Sequence, residues 1–474
     1  LAVRRTWLWG PVAVAAAVLA GVSATQWAHG AKPNERGSEI SDEEAVKIGT
    51  DAYLYGYPLV TMETTRRVMT NVAVPGETRA PMGQLVRLRQ YPTAEFRDVT
   101  APNADTLYTS GWIDVGKQPY VLSIPDMKGR YFLFPMLNAW TEVFQVPSKR
   151  TTGTGPQKYL ITGPNWKGKV PDGVVEYRSA TDLVWILGRI YSTGTQQDYA
   201  EVHALQDQVT LVPLDAYGKP YTPPPGHVDP SIDMKKAVRD QVDGMSAQEF
   251  FGTLANAMAK NPPAPADAPI VAEMAKVGVS PGKVDEHKLE RVVATWSALE
   301  KIKPDMKHAG TLENGWQVML KTGNYGTDYR QRAFIAAFGL GANRPADAVY
   351  PTSVRDAAGK GYDGSHRYVV HLAKDEMPPV RGFWSLTMYD SGFFFVKNPL
   401  NRYTLSKRND FEKNPDGSVD LYLQKDDPGG AKRANWLPAP AGTFVLMMRL
   451  YWPNDSNPSI LDGTWKPPPV KRVD

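Results

Sequence analysis

The stretch Gly129-Arg130-Tyr131-Phe132-Leu133-Phe134-Pro135-Met136-Leu137-Asn138 is aromatic and apolar, follows the turn signal Pro125-Asp126, and is too short for a helix. Such a run between turn residues reads as a strand. A second stretch, Gly382-Phe383-Trp384-Ser385-Leu386-Thr387-Met388-Tyr389-Asp390, lines up loosely with it. Farther on, Arg189-Ile190-Tyr191 matches Arg449-Leu450-Tyr451 at comparable spacing. The pattern predicts a duplicated sandwich. Flanking runs agree: Tyr120 to Ile124, Val184 to Leu187, His366 to Val370, Ser418 to Leu423 and Thr443 to Leu446, punctuated by Pro171-Asp172-Gly173 and Asn414-Pro415-Asp416-Gly417. The fold class expected is mainly β (α+β), with two β-sandwich or jelly-roll-like domains joined by a helical region, plus an N-terminal helix.

Helical signals fall outside those runs. Ser41 and Glu44 read as a capping box ahead of Ala45, Ile48, Ala52, Tyr55, Leu59 and Met62, one apolar face that Pro58 is expected to kink. Tyr217 to Pro230 reads as a linker rich in proline and glycine. Ser246 and Glu249 form a second capping box, Asp267 is expected to cap another helix that Gly278 ends, and a third spans about His287 to Lys301. The division expected is a signal peptide at 1–30, a helix at 41–72, a first β domain at 73–215, a linker and helical region at 216–312, and a second β domain at 313–474.

The start carries Arg4 and Arg5, an uncharged run from Trp7 to Ala20, and small residues at Val22-Ser23-Ala24 and Ala28-His29-Gly30. That is the layout of a cleaved secretory leader, with the mature start expected between Thr25 and Lys32 and a periplasmic or secreted protein as the result. An uncleaved anchor over Thr6 to Ala28 is the alternative; cleavage leaves no stable membrane insertion. Absence of cysteine excludes thiol catalysis and iron–sulfur clusters. A net charge of only +4, with cations scattered among acids, leaves no footprint for nucleic acid. Neither a Gly-x-Ser-x-Gly elbow nor a nucleotide-binding glycine loop is present. His366 and His371 are separated by an odd spacing on a strand, which puts them on opposite faces. No metal ligands and no cofactor are expected.

Candidate site residues concentrate where polar turns interrupt the strands. Asn103, Asp105 and Tyr108 lie in Pro102-Asn103-Ala104-Asp105-Thr106-Leu107-Tyr108, and Arg130, Arg150 and Arg189 fall in or beside strands of the same domain. An arginine on an apolar strand needs a partner or a cavity. One reading is a buried pair of Asp105 with Arg130 or Arg189; the other is a pocket that grips a carboxylate through the guanidinium fork. Tyr108, His203 and Asp105 are candidates for acid–base work, and Asn103, Arg130, Arg150 and Arg189 for substrate binding. Trp140 offers a ring to stack on a sugar, and Arg402 and Tyr403 form a similar set with Asn401 and Arg449 in the second domain.

Several blocks resemble a known family. Asp51-Ala52-Tyr53-x-Tyr55-Gly56-Tyr57-Pro58, Ala101-Pro102-Asn103-x-Asp105-Thr106-Leu107-Tyr108, Lys149-Arg150-Thr151-Thr152-Gly153 and Leu187-Gly188-Arg189 resemble the domain of unknown function numbered 1254. Pro378-Pro379-x-x-x-Phe383-Trp384-Ser385-x-Thr387-x-Tyr389, Asn398-Pro399-x-Asn401-Arg402-Tyr403, Asp416-Gly417-Ser418 and Asn435-Trp436-Leu437-Pro438 are similar to its C-terminal companion, numbered 1214. The resemblance implies a bacterial envelope protein with two β domains bridged by helices, and no settled reaction. Three functional readings stand: a lyase-like enzyme on an anionic saccharide or small carboxylate, a non-catalytic periplasmic binding or scaffold protein, and a metal-dependent hydrolase.

Overall fold

The computed structural model describes residues 40–96, 101–302 and 310–474; the expected leader at 1–30 lies outside them. In the first β domain one sheet has the order β1-β2-β9-β5-β6, with β4 also on β9: β1 (Leu85–Arg87), β2 (Thr106–Asp114), β4 (Phe132–Leu133), β5 (Met136–Asn138), β6 (Val143–Gln145) and β9 (Leu183–Tyr191). The facing sheet has the order β10-β3-β7-β8: β3 (Tyr120–Ile124), β7 (Gln157–Thr162), β8 (Val175–Arg178) and β10 (Thr210–Pro213). Leu107, Ile113, Leu122, Phe134, Ile161, Ile186 and Ile190 fill the space between them, and helix α2 (Gln196–Gln208) closes one side with Val202 and Leu205.

The second β domain repeats this plan. After β13 (Thr311–Glu313) and β14 (Trp316–Val318) come β15 (Ala348–Val349), β16 (Thr352–Ser353), β17 (Tyr368–Leu372), β18 (Trp384–Asp390), β19 (Thr404–Ser406), β20 (Val419–Gln424), β21 (Trp436–Pro438), β22 (Phe444–Tyr451) and β23 (Val470–Arg472). Their sheets run β13-β14-β16-β22-β18-β19, with β15 also on β22, and β21-β20-β17-β23. Taken in chain order, β16 to β23 occupy the places of β2, β3, β4 with β5, and β6 to β10. Even the parallel pair of each second sheet recurs, β7 with β8 and β20 with β21, among otherwise antiparallel neighbours. The loose match between the two sequence stretches therefore reflects a whole repeated sandwich.

Helix α1 (Asp42–Thr70) is the post of the helical region. It packs against α3 (Val238–Asp243), α4 (Ala247–Lys260), α5 (Ala268–Lys276), α6 (Glu286–Ala294) and α7 (Tyr329–Phe338). A short hairpin, β11 (Val279–Ser280) with β12 (Lys283–Val284), joins α5 to α6. The spacing of apolar residues predicts one buried face for α1, but Tyr53 through Met62 are buried on every side. Nor does Pro58 interrupt it: the helix is continuous through that residue. An interior proline costs roughly 3 kcal/mol, and the surrounding packing supplies more than that. The Ser246–Glu249 capping box forms as expected. Asp267 departs from expectation: it stands at the start of α5 without capping it, because its carboxylate accepts from Tyr55 (3.2 Å) and Tyr329 (2.9 Å) instead. Helix α7, inside a region expected to be strands, was masked by the β-rich sequence around it.

The two sandwiches meet through their outer faces. Along β18, Trp384, Leu386 and Met388 enter the second core, so Ser385, Thr387 and Tyr389 point outward; on β22 the same alternation turns Met447, Arg449 and Tyr451 out. On β2 and β9 the outward set is Tyr108, Ser110 and Trp112 with Trp185, Leu187 and Arg189. Close approach of backbone constrains β9 at Gly188, where a Cβ would lie 2.4 Å from the Phe134 ring and 2.7 Å from the Thr109 carbonyl oxygen. Gly188→Ala is accordingly expected to lower stability by about 1–3 kcal/mol, read as a reduced midpoint in urea unfolding.

Candidate functional site

Arg189 and Tyr108 are cross-strand partners on β9 and β2. Their pairing sets the guanidinium over the phenol ring at 5.2 Å, with Arg189 Nε donating to Tyr108 Oη at 3.3 Å. The remaining contacts of Arg189 come from the other domain: Nη1 donates to Asn343 Oδ1 (2.9 Å) and Nη2 to the Gly341 carbonyl (3.2 Å). On β22, Arg449 donates to Thr387 Oγ1 (2.6 Å), to Tyr389 Oη (2.5 Å) and to the carbonyls of Ala101 (3.1 Å) and Pro102 (3.2 Å). Arg189 is 6% and Arg449 3% exposed. Among the described residues neither forms an ion pair with a carboxylate. Two buried cations held only by neutral acceptors leave this junction short of negative charge.

Two acids at the junction are already committed. Asp105, fully buried, accepts from Arg408 Nη1 at 2.7 Å and from Ser385 Oγ at 2.6 Å, both in the second domain. Arg408 Nη2 also donates to the Ala104 carbonyl at 2.8 Å. The pairing of Asp105 with Arg130 or Arg189 is thus replaced by one across the domains. In the reverse sense, Asp347 of the second domain accepts from Arg150 Nε (2.9 Å) and Nη2 (2.7 Å) of the first. The exchange follows from the duplication: Ala104-Asp105-Thr106-Leu107-Tyr108 recurs as Ala346-Asp347-Ala348-Val349-Tyr350, and Ser148-Lys149-Arg150 as Ser406-Lys407-Arg408. Val349 pairs with Leu450, and one further step of that register sets Tyr350 against Arg449, as Tyr108 stands against Arg189. Asp347, Tyr350, Arg408 and Tyr451 were not among the residues expected at a site; these two short repeats were the signal for three of them.

Electrostatics separate the two phenols nearest Arg189. Tyr108 is half-buried. Burial alone raises its pKa, but Arg189, Arg449 and a hydrogen bond from Asn103 outweigh it and hold the phenol below its ordinary value. Tyr451 is pushed well above the ordinary phenol range, by burial first and then by its neighbours Tyr350 and Tyr108. Asn103 Nδ2 donates to Tyr451 Oη at 3.0 Å, and Asn103 Oδ1 accepts from the amides of Asp105 (2.6 Å) and Thr106 (3.2 Å), so the loop before β2 is locked in place. The junction therefore sets one phenol inclined to lose its proton beside one inclined to keep it.

The other candidates lie elsewhere. Arg130 binds Asp198 (2.8 Å) and Glu201 (2.8 Å) on α2 and the Tyr191 carbonyl (3.0 Å), facing a cleft on the far side of the rings of Tyr131 and Phe383. His203 Nε2 is hydrogen-bonded to the Arg89 carbonyl at 2.5 Å, on the outer side of α2. Trp140 is 4% exposed, packs on Tyr55 at 4.8 Å and donates to the Asn261 carbonyl at 3.2 Å, which leaves little face for a sugar. Arg402 holds the carbonyls of Arg433 (2.9 Å) and Trp436 (2.9 Å), and Tyr403 stacks on Phe395 at 4.5 Å. Among the described residues no group of three or more His, Asp or Glu is placed to hold a metal ion, and no helix is long and apolar enough to cross a membrane.

Comparison with known proteins agrees with this two-part architecture. Residues 82–213 match the family model described as protein of unknown function (DUF1254), and residues 347–455 match protein of unknown function (DUF1214). The chain belongs to the family that pairs these two domains. No curated protein matches it. The crystal structure of the VPA0106 protein from Vibrio parahaemolyticus is similar, with 25% identity, a TM-score of 0.66, and coverage of 91% of this chain and 100% of that one. An uncharacterized protein from Burkholderia cenocepacia has 14% identity and a TM-score of 0.44, covering 91% and 93%.

Two stability outcomes follow from the reciprocal pairs. Arg408→Ala leaves Asp105 charged and enclosed, so it is expected to cost about 3–5 kcal/mol by chemical denaturation. Asp347 differs: burial outweighs Arg150, Arg344 and Arg189, and its carboxyl is raised above the ordinary carboxylate value. A group that holds its proton more tightly when folded contributes stability that is full below its unfolded pKa and is lost as pH rises through the folded value. The stability of the parent protein minus that of Asp347→Asn should therefore fall as pH climbs through that window, measured by thermal unfolding across pH.

Proposed function

We propose that the cluster of Tyr108, Arg189 and Tyr451 at the junction of the two domains is the active site of an acid–base enzyme that carries out an elimination on a small carboxylate or acidic sugar. The observation that carries this reading is a phenol held below its ordinary pKa beside a buried arginine that has no carboxylate partner among the described residues. Arg189 commits three hydrogen bonds to Tyr108, Asn343 and Gly341, and a guanidinium carries about five N–H donors. Its remaining donors suit the substrate carboxylate and stabilise the negative charge that grows there as the α-proton leaves. Tyr108 takes that proton; the electron pair forms the new double bond as the Cβ–O bond breaks. The leaving oxygen takes its proton from Tyr451, whose own oxygen is held by Asn103. Phenols with pKa values driven apart suit these two opposite tasks. The basic and apolar start of the chain supports export, so the substrate is one met in the periplasm or outside the cell.

A non-catalytic scaffold is the second reading, favoured by the way Asp105–Arg408 and Asp347–Arg150 tie the domains together. A spectrophotometric pH titration separates them at the level of chemistry. One tyrosine should ionise below the range of free phenol, and Tyr108→Phe should remove that component alone. Turnover of a panel of small carboxylates and uronic oligosaccharides, followed by the ultraviolet absorbance of an unsaturated product, tests the reaction. Tyr108→Phe and Tyr451→Phe should each abolish turnover while ligand-induced thermal shifts persist. Full turnover in either variant sinks the acid–base assignment, and a panel without any shift or turnover favours the scaffold.

A further inference from the structure

A cavity of about 790 Å³ opens between the domains, lined in part by the rings of Tyr131, Tyr191 and Phe383. That volume lies in the range of ligand sites, roughly 300–1,000 Å³. One wall is the turn from Met127 to Tyr131 together with α2, and the other is Gly382-Phe383 and Lys407-Arg408. Phe383 stacks on Tyr451 at 4.4 Å and meets Tyr131 at 5.5 Å and Tyr191 at 4.6 Å. Tyr108, Arg189 and Tyr451 are not among the residues that line this cleft, and Phe383 stands between it and Tyr451.

The cations of the cleft are unequal. Arg130 is matched by Asp198 and Glu201, and Arg408 by Asp105. Lys128 and Lys407 are exposed and form no ion pair among the described residues, and they stand on opposite walls. Lys149, the repeat counterpart of Lys407, is instead tied to the Gly129 carbonyl at 2.8 Å. Lys128 holds a left-handed backbone conformation (φ 50°) that side-chain-bearing residues rarely adopt, secured by Asp126, whose carboxylate accepts its amide at 2.8 Å. The lining also includes the rings of Tyr131, Tyr191 and Phe383 and the polar side chains of Gln208 and Glu201, the latter bound through one oxygen to Arg130.

We propose that this cleft binds an acidic oligosaccharide. Spaced carboxylates would meet the two unpaired ammonium groups, and sugar faces and hydroxyls would meet the rings and the polar side chains between them. This inference stands apart from the elimination chemistry. It is tested by titration calorimetry with trigalacturonate and its fully methyl-esterified form at low and high salt. The parent protein should bind trigalacturonate, more weakly as salt rises, and should bind the ester far less. Lys128→Ala with Lys407→Ala should weaken binding roughly tenfold. Ala204→Trp, on the exposed side of α2 that lines the cleft, should block it without altering charge. Unchanged melting temperatures verify that the variants are folded. Absence of binding, equal affinity for the ester, or indifference to either cleft variant overturns the proposal, the last by placing the ligand elsewhere on the protein.

Discussion

Four arginines at the contact between the two sandwiches, Arg189 and Arg449 buried and Arg150 and Arg408 partly so, constrain everything built around it. Arg150 and Arg408 each reach across to an aspartate of the opposite domain, Asp347 and Asp105. A buried charge separated from its partner is costly, so neither domain can leave the other without exposing or orphaning these groups. The pairs thereby fix the spacing and rotation of the two outer sheet faces. That spacing decides whether Tyr108, Tyr451 and Asn103 share one small volume.

Arg189 and Arg449 occupy equivalent strands of the repeat but differ in how they are satisfied. Arg449 is enclosed by Thr387, Tyr389 and two carbonyls of the loop before β2. It works as a clamp on that loop. Arg189 instead bonds the phenol of its cross-strand partner Tyr108 and takes its other acceptors, Asn343 and Gly341, from the second domain. A duplicated fold has here departed from symmetry at the position where chemistry is proposed, while the reciprocal ion pairs have kept it. Asp347 shows the same departure in a milder form: one of its carboxylate oxygens, Oδ2, is buried without a partner, whereas both oxygens of Asp105 are bonded.

The helical region plays a supporting part. Tyr55 and Tyr57 on α1 anchor to Asp267 and Asp243, and Trp140 of the first domain reaches Asn261 at the end of α4. Aromatic side chains that read as candidate ligand surfaces in sequence are, in Trp140, part of this anchoring. Leaving a buried indole N–H unpaired is costly, and for Trp140 a helix end supplies the acceptor.

Period-two alternation, turn chemistry and the repeated Arg-x-Tyr pair made the two sandwiches legible, because a strand's inward and outward faces are written in adjacent residues. Capping boxes made α4 legible for the same local reason. Helix α7 and the unbroken passage of α1 through Pro58 were not, since both depend on neighbours distant in the chain. The partner of Asp105 lies 303 positions away in Arg408, and that of Arg150 lies 197 positions away in Asp347. Sequence alone determined that arginines in or beside apolar strands need partners, and where along the chain those arginines lie. Only the tertiary structure decided that the partners come from the other domain, because charge compensation is settled by distance in space and not by spacing along the chain.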